Sequence, residues 1–342
     1  MIELKRDSLR FTFPEVHPRA LLNIDFQRTL RIPDDGNDHF LPPGLGRFPL
    51  RHVDDFEASV PARWIEHGGV MLPMYQSEAL WINLGSEFLP GHGAPYPFAV
   101  RVVAGKIDAL TGEQWKSGLH GVPQDYLVVP EQPWLDGFAV GKGIIRQFVA
   151  MPLGAGYTAE EQISGEAEHG GLQIVVYPMK RSVFERRFPK RRRMDMEEDM
   201  LAMCEPTASL AMDMGLAPGG RMRQEIYADP FGFEDWERET FSRCFVHIAN
   251  SLVWRAVTGE VPPTVPPTAR QYSEAGLPWF DYYHEGAAAL EGSEALAKLK
   301  SVIQMGREKG DAPLPENEKA EPRRVVRLGR GRSKDQVREG KF

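Results

Sequence analysis

Cysteine is nearly missing from this chain: Cys204 and Cys244 are the only two in 342 residues. A single pair cannot build a disulfide framework at this length, and the two are too far apart for a Cys-x-x-Cys metal pair. A cytoplasmic location is therefore expected. No apolar run approaches the roughly eighteen residues needed to cross a bilayer, and the N-terminal MIELKRDSLRFTF has no apolar signal core, so neither membrane insertion nor secretion is expected. Net basic charge is lacking as well. The formal charge is -7, which disfavours the whole molecule as a general nucleic-acid binder, because such proteins carry a basic footprint that releases counterions from phosphate. There is no repeat of fixed period. Familiar catalytic spacings are missing too: there is no His-Glu-x-x-His, no Asp-x-Asp-x-Asp-Gly, no Gly-x-Ser-x-Gly and no phosphate loop. We expect no cofactor and no metal.

Glycine and proline, by contrast, are plentiful at 33 and 28 residues, which suits many turns between short strands. Three neighbouring runs, DYLVVP, GIIRQFVAMP and LQIVVYP, are short, rich in β-branched or aromatic residues and ended by proline. They predict buried sheet strands. Pro61 followed by Gly68-Gly69 predicts a short helix with a glycine stop. Between 233 and 258, Phe241, Phe245, Ile248, Leu252 and Ala256 recur at steps of three or four, predicting a long buried helix. On it, Arg243, His247, Ser251 and Trp254 would fall opposite the apolar stripe. A last helix is predicted from Ser293, as N-cap, to about Gly306. The expected fold class is α+β: an antiparallel or mixed β body over 1–178, a helical part over 194–309 with the long helix packed on the sheet, and a mobile basic tail over 310–342. Residues 1–309 are expected to form one domain.

Several groups of residues carry possible chemistry. GEAEHGG (165–171) offers Glu166, Glu168 and His169 for acid–base work, or simply a polar loop between glycines. PEQPWLDG (130–137) offers Trp134 as a stacking platform beside Asp136, or as a packing anchor for a turn. In GLAPGGRMRQEIYADPFG (215–232), glycines beside Arg221 and Arg223 suit an anion-binding concavity, or a turn whose arginines pair with nearby acids. The aromatic arm LPWFDYYHEG (277–286) would dock on the body or on a neighbouring subunit. Cys204 and Cys244 sit in apolar surroundings that suit inert packing. The run 180–193 carries eight basic residues and 195–205 five acidic ones, which reads as an exposed boundary followed by a helix.

Taken in order, LPPGLGRFPLRHVDDF, YLVVPEQPWLDGF, RQFVAMPLGAGYTAEEQ and GLAPGGRMRQEIY resemble a family of uncharacterised proteins of unknown function, over residues from about 9 to 283. That resemblance implies a bounded unit and carries no activity. From the residues, the expected function is non-catalytic: a binding or assembly protein, oligomeric or with a protein partner, using loops 130–137 and 153–171. The alternative is a hydrolase or lyase acting on an anionic small molecule, with Glu166, Glu168 and His169 as acid, base or ligands and Arg223 holding the anion. Nucleic-acid contact is expected only through the basic tail. Whether the two loops share one end of the sheet decides between a common site and scaffold.

Overall fold

A computed structural model of the chain describes residues 1–190, 213–283, 287–312, 314 and 317–329. Seventeen strands join one sheet, and its pairings are mostly antiparallel. Eight strands form its body: β1 (Leu21–Thr29), β2 (Val70–Met74), β3 (Ala79–Ser86), β4 (Phe98–Ala104), β5 (Ile144–Pro152), β6 (Leu172–Pro178), β7 (Asp213–Arg223) and β8 (Ser242–Asn250). They lie in the order β1, β3, β5, β7, β8, β6, β4, every step antiparallel. Strand β2 runs parallel along the opposite edge of β8. Strands β6 and β7 therefore meet end to end on one edge of β8, and a bond from Gly171 N to Met214 O (3.1 Å) closes the junction.

All residues of β4 and β6 are buried, Arg101 and Gln173 included, and their otherwise apolar runs suit strands covered on both faces. The three predicted runs are strands, at Leu127–Val129, β5 and β6. The first helix, α1 (Ala62–His67), ends at Gly68 with φ +63. Six further helices follow among the described residues, including α2 (Ala159–Ser164), α3 (Ser251–Thr258), α4 (Glu294–Ala297) and α5 (Val302–Lys309). None among the described residues exceeds eight residues, and none is long and apolar enough to cross a membrane.

The expected α+β architecture with a long packed helix is therefore corrected to a sheet-dominated fold with short helices. Segment 233–258 is a 3-10 turn (Phe233–Asp235), then β8, then α3. Cys244, Val246 and Ile248 fill one face of β8 while Phe245 and His247 partly or wholly bury the other, so apolar residues also fall at steps of three and four. Asn250 starts the helix instead, its side chain accepting from Leu252 N at 3.0 Å. Ser293 does cap a helix, but Ser301 opens a second with its own capping box, splitting the predicted 293–306 element.

The predicted mobile tail is corrected in part. Residues 325–329 form a strand paired in parallel with Trp279–Tyr283. The acidic run 195–205 with Cys204, residues 191–193 of the basic run and residues 330–342 lie outside the described residues.

Candidate functional site

The 153–171 loop is built around α2. Thr158 and Glu161 form a capping box, and Glu161 Oε1 also accepts from Gly156 N at 2.6 Å. Gly165 ends the helix in the left-handed region, φ +75. The buried Glu160 turns inward and accepts from Gly170 N (2.9 Å) and His169 N (3.3 Å), holding the returning strand of the loop. Burial raises its pKa, against those two backbone bonds and the charge of Lys106. Glu166 and Glu168 point to solvent, where Lys106 Nζ lies 3.0 Å from Glu166 and 3.7 Å from Glu168. Such exposed pairs contribute about 0–1 kcal/mol.

His169 leans inward from the same loop. Its ring centroid is 5.7 Å from that of His67 at the end of α1, and its Nε2 is 3.8 Å from Glu168. That Nε2 is shielded from solvent and makes no hydrogen bond among the described residues. Burial lowers the His169 pKa, helped by Lys106 and His67. His67 stacks on Phe245 of β8 at 4.6 Å and 10°, and buried His247 stacks on Trp64 of α1 at 4.7 Å and 21°. His247 Nε2 donates to Gly68 O at 3.0 Å, and burial pushes its pKa down to about 4. It is a neutral, structural imidazole.

The stack continues along β8. The Arg243 guanidinium lies 4.9 Å from the Phe245 centroid and 5.6 Å from Trp115, while Arg101 covers Trp115 from within at 4.7 Å. Arg101 is buried and pairs with Asp125 (3.0 Å) and Asp108 (3.4 Å), anchoring the 108–125 segment that carries Trp115. Phe241 then stacks on Tyr177 at 5.2 Å and stays 48% exposed. Tryptophan, histidine, phenylalanine and arginine thus form one graded strip, buried at Trp64 and His247 and open to solvent at Arg243 and Phe241.

Trp134, Asp136, Arg221 and Arg223 lie elsewhere. Trp134 packs on Tyr282 of the 277–286 arm at 4.6 Å, so the described part of the arm docks within the chain, and a bridge between Leu41 and Phe280 secures it. Asp136 is buried. Its N–H donates to Gln224 Oε1 (3.0 Å), and Oδ2 accepts from Gln224 Nε2 (2.7 Å). Burial pushes its pKa up to about 7 despite hydrogen bonds from Gln224 and Trp134. Arg221 pairs with Asp38 at 2.8 Å, and Arg223 lies over Phe40 at 4.9 Å. The proposed concavity around them is strand: Gly219 and Gly220 of β7 sit where an added Cβ would come within 2.5 Å of Val149 Cγ2 and of Pro33 O respectively. These glycines serve close packing.

Strand β7 separates the two groups. Its Asp213 end meets the 153–171 loop, through Leu153 N and Gly171 N, while the 130–137 loop bonds Gln224 just past Arg223. Eleven residues of strand span on the order of 30 Å. The two loops lie at opposite ends, so no small ligand bridges them, and Arg223 cannot serve a substrate held at His169.

No family model, curated protein or solved structure matches this chain. This accords with a resemblance confined to uncharacterised proteins, and the site must be judged on its own residues. Among the described residues, no three histidine, cysteine, aspartate or glutamate side chains converge as a metal set. Cys244 is buried, and burial pushes its thiol pKa up to about 12, which makes it inert.

Sequence reasoning singled out His169 but not its neighbours His67, Trp64, Glu160 and Phe245. His67 sits in an unremarkable helical turn, and Glu160 reads as one more acid in TAEEQ. Only the Gly170-Gly171 pair signalled close approach at this point. At Gly171, with φ +54, an added Cβ would lie 2.5 Å from Val246 O.

Proposed function

We propose that this is a cytoplasmic, non-catalytic binding or assembly protein whose contact surface is the 165–171 loop together with the ring-bearing face of β8. One observation carries the reading: rigid aromatic and arginine side chains are stacked along one strand, buried at one end and exposed at the other. Aromatic residues and arginine are the side chains enriched in protein interfaces and dominant at their hot spots. A stack held from below loses little side-chain freedom when a partner covers it. The 130–137 loop takes no part, since the arm already covers Trp134.

Site-specific photocrosslinking tests this reading. A photoreactive phenylalanine analogue at Phe241 or at exposed Glu168 should give a discrete adduct in cells, while the same analogue at Val265, 68% exposed and next to Thr264, which meets Arg28 of β1 four strands away from β8, should give none. Absence of any position-specific adduct would overturn it.

One observation favours a second reading, a hydrolase or lyase for a small anionic substrate: the unbonded, solvent-shielded Nε2 of His169 beside Glu168 and Lys106. There His169 would act as base, Glu168 would orient it and Lys106 would hold the anion. Turnover of an anionic ester found by screening, and lost in His169→Ala, would establish this second activity. If screening finds turnover unchanged in that variant, His169 has no such role.

A further inference from the structure

The exposed end of the strip is self-complementary. Glu239, Phe241 and Arg243 are all exposed, and the acid precedes the ring by two residues while the cation follows it by two. Three exposed arginines of neighbouring segments have acidic partners: Arg181 with Glu185 (2.8 Å), Arg187 with Asp235 (2.7 Å) and Arg238 with Glu234 (2.7 Å). Arg243, like exposed Arg186, meets no opposite charge among the described residues, and neither does Glu239. The Arg243 guanidinium is nonetheless held in place, framed by Phe245 and Trp115 with its hydrogen-bonding edge unused. A planar fork fixed against aromatic faces and lacking a carboxylate is prepared for one.

A two-fold axis through Phe241 satisfies all three residues at once. It sets each ring against its symmetry mate and each Glu239 against the opposite arginine, which is the pattern of an isologous contact. We propose that the chain forms a two-fold homodimer through this segment, with Glu239 paired to Arg243 of the partner subunit and Phe241 at the centre. This proposal rests on the binding reading above and names its partner. A nucleic acid fits the same surface poorly, because Glu239 stands beside the ring and the chain carries a formal charge of -7.

Sedimentation velocity on the full chain, from low to high micromolar concentration, tests the proposal with four proteins. The unaltered chain should show a concentration-dependent dimer. Glu239→Arg and Arg243→Glu each place like charges together twice per dimer and should weaken association by more than about tenfold. The combined E239R/R243E protein restores opposite charges across the axis and should associate more tightly than either single variant. Far-UV circular dichroism checks that these exposed changes leave the fold intact. A monomer at every concentration overturns the proposal, as do single variants that dimerise like the unaltered chain or a double variant no better than the singles. A crosslink from position 241 to another protein or to nucleic acid, with the unaltered chain monomeric, overturns the dimer and leaves the binding reading standing. Failure of both experiments removes both.

Discussion

Asp136→Asn should make the chain more stable, by a margin that grows from mild acid to neutral pH and then levels off. Asp136 is buried, and its carboxyl is pushed up to about 7 from an ordinary 3.8, chiefly because the interior disfavours the charge. The folded chain therefore keeps this proton up to about pH 7, whereas the unfolded chain releases it near pH 4. Between those values the unfolded state binds fewer protons, so this group's contribution lowers stability as pH rises and levels off above about pH 7. A gap of about three pH units, at roughly 1.4 kcal/mol per unit, sets the loss at no more than about 4 kcal/mol. Asparagine has the same shape, carries no charge, and its oxygen still accepts from Gln224 Nε2. Asp108, raised to about 6 by its own burial, titrates with the same sign in both proteins, so the difference between them isolates Asp136. Urea unfolding near pH 5, about one unit above the unfolded value, should favour the variant by only about 1.5 kcal/mol. Near pH 8 the variant should be the more stable by about 2–4 kcal/mol. If the two free energies run parallel across that range, Asp136 is not the buried acid described here.

Gly171→Ala should unfold the chain or lower its melting temperature severely, because the new Cβ would meet backbone, Val246 O at 2.5 Å; Gly165→Ala has open space and should cost only about 1 kcal/mol for its left-handed φ. Equal melting temperatures for the two variants would contradict the junction at β6 and β7. Glu160→Ala strips two backbone N–H groups of their acceptor and should destabilise by about 1–3 kcal/mol. Hydrogen exchange should then quicken at His169 and Gly170 first, and unchanged rates there would dismiss the clamp.

The strands were legible where composition settles the matter. LQIVVYP is too short, too β-branched and too evenly apolar for anything but a covered strand, and it is one. Gly68 stops a helix as its chemistry requires, and Ser293 caps one. What stayed hidden depends on contacts distant in sequence. Glu160 is buried because Gly105 has no side chain: a Cβ there would lie 2.3 Å from the Glu160 carboxylate. No local pattern around TAEEQ reveals that. Trp134 opens a two-residue strand paired with Asn83 rather than a turn, and Gln224 and Tyr282, which enclose Asp136 and Trp134, lie far along the chain. The separation of the two candidate loops likewise follows from the length and pairing of β7, which no loop sequence reports.

The misassigned helix and the overlooked surface have one cause. At 100° per residue, Phe241 and Phe245 fall within about 40° of each other while Arg243 and His247 point to the far side. A helix would thus divide these four residues between core and solvent, and no strip would exist. With two residues per repeat, 241, 243, 245 and 247 align on a single face, roughly 7 Å apart. Register confirms the alignment independently: Val175 pairs with Arg243 and Gln173 with Phe245, which carries Tyr177 to its stack with Phe241. The period of this segment therefore decides both the fold class and whether a contact surface is present. Glu239 lies in the bend just before β8, outside this repeat, so its approach to the partner's Arg243 rests on charge and on its place beside Phe241.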